Sequence, residues 1–214
     1  METETAAILP DQDVSMESKP HFAPISASES TKTGTHYRKI LVPANRRTPL
    51  KRDWPKLYAP IVQHLQLQIR YDPKSYHIHL RTGKTTPEVG YLQRAADFLR
   101  AYLLGFEVDD AVAMLRMDDL YIDSFEIKDV KTLNGDHLAR AIGRIAGKDG
   151  RTRFAIENTS KTRIVLADTR IHILGTVQNI KVARDAVVSL ILGSPPGKVY
   201  ANLRTVAARL KDKF

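Results

Sequence analysis

Two glycines separated by two residues, Gly147 and Gly150, lie at the centre of a basic stretch. Glycine adopts positive φ without a steric penalty, so such a pair lets backbone N–H groups come close to an incoming phosphate. Four basic residues surround the pair: Arg144, Lys148, Arg151 and Arg153. The spacing therefore predicts a phosphate-binding loop, which we call the GxxG loop (residues 147–150).

The residues on either side of the loop predict two helices. One covers residues 142–146, and a second, basic helix opens with residues 151–156. The first N–H groups of a helix lack partners within it, and together with the helix dipole they attract an anion. Asp149 adds a carboxylate inside the loop that repels phosphate, so the affinity of the loop depends on where Lys148 and Asp149 point.

Two other interpretations of the loop were considered. A nucleotide-binding P-loop needs four residues between its glycines, followed by Lys and then Ser or Thr. Here three residues separate Gly143 from Gly147, and Asp149 follows Lys148, which excludes that motif. A plain helix-turn-helix hairpin with a glycine turn would be favoured if the loop stood alone.

The loop belongs to a longer series of predicted elements. Residues 124–130 alternate like an edge strand, residues 163–167 and 170–174 read as two strands, and residues 177–192 read as a helix. One face of that helix is expected to be apolar: Val177, Ile180, Ala183, Val187, Leu190 and Ile191. The order is β-α-GxxG-α-β-β-α.

This pattern resembles the KH domain of the eukaryotic type, across residues 142–156 in particular. KH domains clamp four single-stranded nucleotides between the GxxG loop and an apolar groove. The resemblance implies a groove with these lining residues: Ile142, Ile145, Ala146, Phe154, Ile156, Ile164 and Leu166. Apolar periodicity mostly reports burial, so only some of them are expected to serve as both core and groove.

Charge is distributed unevenly along the 214 residues, whose net charge is +9. Residues 36–105 carry thirteen bases against four acids, and residues 137–214 carry fifteen against five. Residues 106–136 between them are acidic. Basic blocks of this size favour a polyanionic partner whose binding weakens with salt. Zero cysteines exclude a disulfide framework and fit a reducing compartment, and no apolar run approaches the roughly 20 residues of a membrane span.

The sequence of the first half resembles that of the second and indicates a divergent internal repeat. Residues 1–35 are predicted to be a disordered acidic tail, and order is expected from Tyr37. A basic loop over residues 45–52, a helix from Asp53, two strands within residues 67–80 and a helix over residues 92–104 follow. A shift of 88 residues aligns Ala95 and Leu99 with Ala183 and Val187. This copy has no GxxG loop.

We find no catalytic constellation and predict that the protein is not an enzyme. His77 and His79 share a strand face but lack a third ligand, so packing or RNA contact is favoured over metal binding. Four acids read as a solvated connector rather than a magnesium site: Asp109, Asp110, Asp118 and Asp119. No cofactor or metal is expected.

The last helix is basic and carries an apolar stripe. Residues 193–197, Gly-Ser-Pro-Pro-Gly, end the preceding helix, since proline cannot continue one. The stripe comprises Val199, Leu203, Val206, Ala207 and Leu210. The sequence allows two roles for this helix: packing on the second domain, and presenting a charged face to RNA or a partner.

Three stretches together, residues 142–150, 164–168 and 188–200, resemble the partner-of-Nob family of KH proteins over about residues 36–214. The resemblance implies an α+β fold of two tandem type I (βααββα) KH domains, the first degenerate, plus a C-terminal helix. The implied bounds are a tail at 1–35, a divergent KH-like domain at 36–122, a KH domain at 123–193 and an extension at 194–214.

The resemblance also implies a function. Members of this family bind the 3′ end region of the small-subunit rRNA precursor in pre-40S particles and act beside a PIN-domain endonuclease and an rRNA dimethyltransferase. They travel from nucleolus and nucleus to cytoplasm. The implied RNA-binding residues are those of the loop (Gly147, Lys148, Asp149, Gly150), three arginines beside it (Arg144, Arg151, Arg153) and four residues of the groove (Ile142, Ile145, Ile164, Leu166). A KH-fold protein scaffold with incidental RNA contact and a metal-dependent nuclease using His77 are the alternatives.

Overall fold

Two basic residues followed by an apolar run begin at Arg38, and the computed structural model forms its first strand there, over Tyr37–Leu41. The structure describes residues 35–83, 85, 86, 88 and 90–211. The predicted tail lies outside the described residues, except for Thr35.

Three strands and three helices make up the described part of the first half. The elements are β1 (Tyr37–Leu41), a 3-10 turn (Ala44–Arg46), α1 (Arg47–Leu65), β2 (Leu67–Asp72), β3 (His77–Thr82), α2 (Gly90–Leu104) and α3 (Val108–Arg116). The strands form an antiparallel sheet in the order β1-β3-β2. Alternate residues of β3, Ile78 and Leu80, are fully buried against α1 and α2, where Leu57, Ile61 and Phe98 are fully buried too.

The prediction of a basic loop over residues 45–52 is wrong. The 3-10 turn leads directly into α1, which starts at Arg47 and runs through Pro55 and Pro60. Pro49 lies in the first turn of α1, where no N–H has an intrahelical acceptor, so this proline is compatible with a helix start well before Asp53.

The second half follows the predicted order closely. It comprises β4 (Tyr121–Glu126), α4 (Ile127–Val130), α5 (Gly135–Ala146), a 3-10 turn (Lys148–Gly150), α6 (Arg151–Ser160), β5 (Arg163–Ala167), β6 (Arg170–Gly175), α7 (Val177–Leu192) and α8 (Pro196–Lys211). The strand order β4-β6-β5 repeats that of the first sheet. Helices α5 to α8 pack on one face of this sheet around Ile145, Ile171 and Leu190.

Two smaller predictions need correction, one on the edge strand and one on Val177. The edge strand ends at Glu126, because residues 127–130 turn into α4, where Asp129 accepts the N–H of Glu126. Val177 is 61% exposed, since it occupies the first turn of α7 outside its apolar face. The acidic connector is partly helical: Asp109 and Asp110 lie in the first turn of α3, where acids complement the helix dipole.

The two halves share a contact through the back of the second sheet. Leu174 of β6 is buried in the first core, and Val165 and Ile122 pack against it. A Cβ built on Gly105, just after α2, would stand 2.9 Å from Cγ1 of Val165, so the side chain of Val165 packs closely against the backbone of Gly105. Thr35–Phe214 therefore forms one compact unit.

Part of the positive charge of the first half is used internally. Arg46 donates from Nη2 to the carbonyl of Tyr102 (2.8 Å) and lies over its ring. Tyr102 donates in turn to Asp53 Oδ2 (3.0 Å), which ties α2 to α1. Burial and the hydrogen bond to Asp53 raise the pKa of Tyr102 to about 12, so it stays a donor at physiological pH.

Candidate nucleic-acid interface

The GxxG loop adopts the backbone that its glycines predict. Gly147 has φ 72° and ψ 175°, and Gly150 has φ 74° and caps the start of α6. Asp149 between them is also left-handed at φ 54°, a conformation that aspartate tolerates better than most residues. The loop thus joins the C-terminus of α5 to the N-terminus of α6 in a tight reversal.

Gly147 is required by space as well as by φ. A Cβ at this position would lie 2.2 Å from Oγ1 and 2.8 Å from the backbone nitrogen of Thr152, in the first turn of α6. At Gly150 a Cβ would meet only the ring of Phe154 at 3.6 Å, an ordinary contact. Replacing Gly147 by a residue with a side chain would therefore distort the loop, whereas Gly150 has room for a Cβ.

The charged residues around the loop divide into two groups. Lys148, Asp149 and Arg151 are exposed beside the N-terminus of α6, whose dipole is positive at this end. Arg144 and Arg153 are half-buried, and the Nε of each is buried without a hydrogen-bond partner. Lys148 and Arg151 are thus the cations most accessible to a phosphate at this loop.

Arg153 is partly occupied by neighbours within α6. Its Nε lies 3.8 Å from Oε1 of Glu157, and its guanidinium carbon lies 5.1 Å from the ring centre of Phe154. The first distance is too long for a hydrogen bond, and the second is a cation–π contact. Arg153 and Phe154 are thus in contact beside the loop, and both are partly exposed.

The predicted groove residues divide in the same way. Ile145 and Ile156 are fully buried and Ile164 is 2% exposed, so these three are core beneath the surface. Ile142 and Leu166 lie half-buried at the edge of that core, and Ala146 is half-buried next to the loop. Phe154, with 52% of its surface exposed, is the most accessible apolar side chain of the predicted set.

One buried carboxylate connects the two elements that form the groove, and no sequence pattern predicts it. Glu157 is 5% exposed, and its Oε1 accepts the backbone N–H of Ile164 at 2.8 Å. This bond ties α6 to the edge strand β5, the two elements that carry Phe154 and Leu166. A lone glutamate in a polar helix has no pattern that predicts such a partner.

The C-terminal helix supports the loop from behind. Tyr200 of α8 donates to Oγ1 of Thr152 at 3.1 Å, and Thr152 is the residue against which Gly147 closes. Val199 and Leu203 are both 4% exposed in the second core. Packing on the second domain is therefore what Val199 and Leu203 of the stripe do, while Val206 and Ala207 are half-buried and the side chain of Leu210 lies outside the described residues.

The other candidate chemical groups lie apart from the loop. His77 and His79 share one face of the first sheet, and Asp110 and Asp118 pair with Arg163 and Arg94. No cluster of three or more metal-ligating side chains occurs among the described residues. In the same part of the chain, no helix is long and apolar enough to cross a membrane.

Comparison with protein families agrees with the geometry of the second half. Residues 124–208 match a family described as the eukaryotic type KH domain (KH domain type I). This range starts in β4, contains the GxxG loop and ends within α8.

Full-length relatives extend the likeness to nearly the whole chain. The chain is 60% identical over 204 residues to the pre-rRNA-processing protein PNO1 of Coccidioides immitis. The aligned residues cover 95% of this chain and 80% of the relative. It is 60% identical to the protein of that name from Schizosaccharomyces pombe (93% and 83% covered) and 59% identical to that from Saccharomyces cerevisiae (92% and 72%).

Two archaeal structures share the fold. Dim2p of Pyrococcus horikoshii superposes with a TM-score of 0.68 at 25% identity, covering 79% of this chain and 99% of that one. Its complex with a/eIF2alpha and rRNA gives a TM-score of 0.72 at 24% identity, covering 83% and 97%.

Proposed function

The chain belongs to the PNO1 family of pre-rRNA-processing proteins, and we propose that it acts as a non-enzymatic assembly factor that holds single-stranded rRNA at its GxxG loop. The observation that carries this proposal is the loop itself. Gly147 closes on Thr152 at positive φ and leaves Lys148 and Arg151 exposed at the N-terminus of α6.

The loop and the groove have separate tasks in this proposal. Backbone N–H groups at the start of α6, with Lys148 and Arg151, bind phosphate oxygens. The bases lie against Phe154, Ile142 and Leu166, which reach the surface. Ile145 and Ile164 contribute from below, by filling the core on which those three rest.

The finer assignment follows from the family. We propose that the RNA is the 3′ end region of the small-subunit rRNA precursor within pre-40S particles, with the PIN-domain endonuclease and the rRNA dimethyltransferase as neighbours. The same assignment places the protein in the nucleolus and nucleus and, with the particle, in the cytoplasm. The archaeal Dim2p structure solved with rRNA supports RNA as the ligand.

We also interpret the first half as a KH-like domain without a phosphate loop. Its sheet has the strand order of the second sheet, and α2 buries Ala95 and Leu99 where α7 buries Ala183 and Val187. A single helix, α1, stands where the second half has two helices joined by the GxxG loop. RNA binding of the loop type is thus assigned to the second half.

Substitution of the two exposed cations tests the function. Lys148→Gln with Arg151→Gln removes two charges without touching a buried atom, so the fold should persist. We expect affinity for a single-stranded rRNA fragment to fall about tenfold or more. Lys128→Gln with Lys181→Gln removes two exposed charges elsewhere and should bind like the wild type. Equal affinity of all three proteins would refute the assignment.

A protein-binding scaffold is the second candidate, and Asp149 is the residue that favours it. Its carboxylate is exposed within the loop and joins none of the ion pairs formed among the described residues. If the scaffold is the true function, Asp149→Asn will leave RNA affinity unchanged. If the loop binds phosphate, the same substitution will raise it, because a repulsive charge is removed.

A further inference from the structure

One face of the first sheet is not covered by any element among the described residues, and its side chains are chemically unusual. By strand register, the side chains on this face come from Tyr37, Lys39 and Leu41 of β1, from His77, His79 and Arg81 of β3, and from Gln68, Arg70 and Asp72 of β2. We call it the open face. The opposite side of the same strands carries the buried core residues Ile40, Ile78 and Leu80.

Aromatic rings lie in a row across the open face. Tyr37 stacks on His79 with ring centroids 5.5 Å apart and planes 28° apart, and its hydroxyl is hydrogen-bonded to Nδ1 of His79. His77 follows at 6.4 Å from His79. Tyr37 is 53% exposed and His79 is half-buried, so both present ring surface to solvent.

The same face is positively charged. Lys39, Arg70 and Arg81 are exposed, and none takes part in an ion pair within the described part of the chain. The carboxylate of Asp72 already accepts hydrogen bonds from the hydroxyl of Ser75 and the N–H of Lys74, which lower its pKa. A depression of about 600 Å³ lies between Tyr37, Arg70 and Arg81.

The second sheet provides an internal comparison. Its corresponding face is covered by the first half, through Leu174, Val165 and Ile122. His172 occupies the place there that His79 has in the first sheet, and it is 5% exposed. Basic side chains of the second sheet form ion pairs as well, for example Arg170 with Glu126 at 2.7 Å. Exposed rings and free cations thus coincide only on the first of the two sheets described.

We propose that the open face is a second binding surface for single-stranded RNA. Bases stack on the rings of Tyr37 and His79, and the phosphates contact Lys39, Arg70 and Arg81. Rings that accept any base, combined with cations that follow the backbone, are the chemistry of sequence-tolerant single-strand binding. The inference deepens the proposed RNA-binding function by adding a contact outside the GxxG loop.

Titration of a labelled 20-nucleotide single strand into the full chain tests the surface. Tyr37→Ala with Arg70→Gln should weaken binding about tenfold, since one stacked base and one phosphate contact are lost. Arg70→Gln with Arg81→Gln keeps Tyr37 and should also weaken RNA binding. This second variant keeps the test valid if loss of the Tyr37 ring disturbs the fold of the first. Tyr121→Ala with Lys181→Gln is the matched control, because Tyr121 is a 52% exposed tyrosine that starts the edge strand of the other sheet.

Photocrosslinking to the same RNA gives an independent readout, with adducts expected in peptides containing Tyr37 and His79. Wild-type RNA affinity in both open-face variants, without such adducts, would overturn the proposal. If the variants kept RNA affinity but no longer bound a protein partner that the wild type binds, the open face would be assigned to that protein instead. Weakening by Lys148→Gln with Arg151→Gln alone would leave the proposed function standing and refute this inference. If only the open-face variants weakened RNA binding, this inference would stand and the assignment of RNA binding to the GxxG loop would be refuted.

Discussion

At the scale of single residues, the GxxG loop depends on Gly147 and Gly150 for different reasons. Both have positive φ, but only Gly147 lies against another backbone: a Cβ on it would stand 2.8 Å from the backbone nitrogen of Thr152. The sequence predicted the conformation of both glycines correctly. It did not predict the contact with Thr152, because that contact depends on how α6 turns back over the loop.

We expect Gly147→Ala to destabilise the protein considerably more than Gly150→Ala. An alanine at 150 has only the left-handed backbone to accommodate, at a cost of roughly 1–2 kcal/mol. An alanine at 147 has that cost and must also displace the first turn of α6. Urea unfolding of the two variants measures the difference, and equal losses would show that the clash relaxes freely.

Glu157 allows a second prediction at this scale. Glu157→Ala removes the acceptor of the buried N–H of Ile164, and an unsatisfied buried donor costs about 1–3 kcal/mol. Glu157→Gln keeps an acceptor oxygen and should lose less. Urea unfolding distinguishes the two variants; a larger loss in Glu157→Gln would mean that the negative charge, rather than the hydrogen bond, stabilises β5.

At the scale of elements, α8 is part of the binding module rather than an appendage. It packs on α6 and α7 and reaches Thr152 through Tyr200. Strands β5 and β6 and helix α7 begin or end within a residue of their predicted bounds, because their apolar runs stop at turn residues or prolines. The start of α1 was missed because a basic, proline-containing stretch resembles a loop in sequence.

Tyr200→Phe tests this support of the loop by α8. The substitution removes one hydroxyl and leaves the ring in place, so the free energy of unfolding should fall by about 0.5–1.5 kcal/mol. RNA affinity should fall modestly, because Thr152 positions the loop without contacting RNA itself. Thr205→Val on the exposed part of α8 removes a hydroxyl that bonds only within its own helix and should leave RNA affinity unchanged.

At the scale of the whole molecule, the two halves are joined by the back of the second sheet. His172 lies in that junction, 5% exposed, with Nδ1 2.7 Å from the hydroxyl of Ser124. Burial, with a smaller contribution from the charge of Arg170, lowers its pKa below the usual 6.5. A histidine in a mixed strand run gives no sequence signal for this burial, which needs the first half in place.

The pKa of His172 predicts acid sensitivity of the junction. Below pH 6.5 the unfolded chain binds a proton that the folded protein resists, so stability is complete above this pH and declines as pH falls through the interval beneath it. His172→Gln should reduce that decline. Thermal unfolding between pH 7.5 and 5 measures it, and an unchanged pH profile in the variant would exclude His172 as the cause.

Salt dependence of RNA binding tests most directly whether the GxxG loop holds phosphates. Each phosphate contact to a single strand contributes about −0.7 to the slope of log affinity against log salt. Relative to the wild type, Lys148→Gln with Arg151→Gln should therefore have a slope shallower by about 1.4. Lys128→Gln with Lys181→Gln should keep the wild-type slope. A slope unchanged by loss of Lys148 and Arg151 would contradict the central claim that this loop binds the RNA backbone.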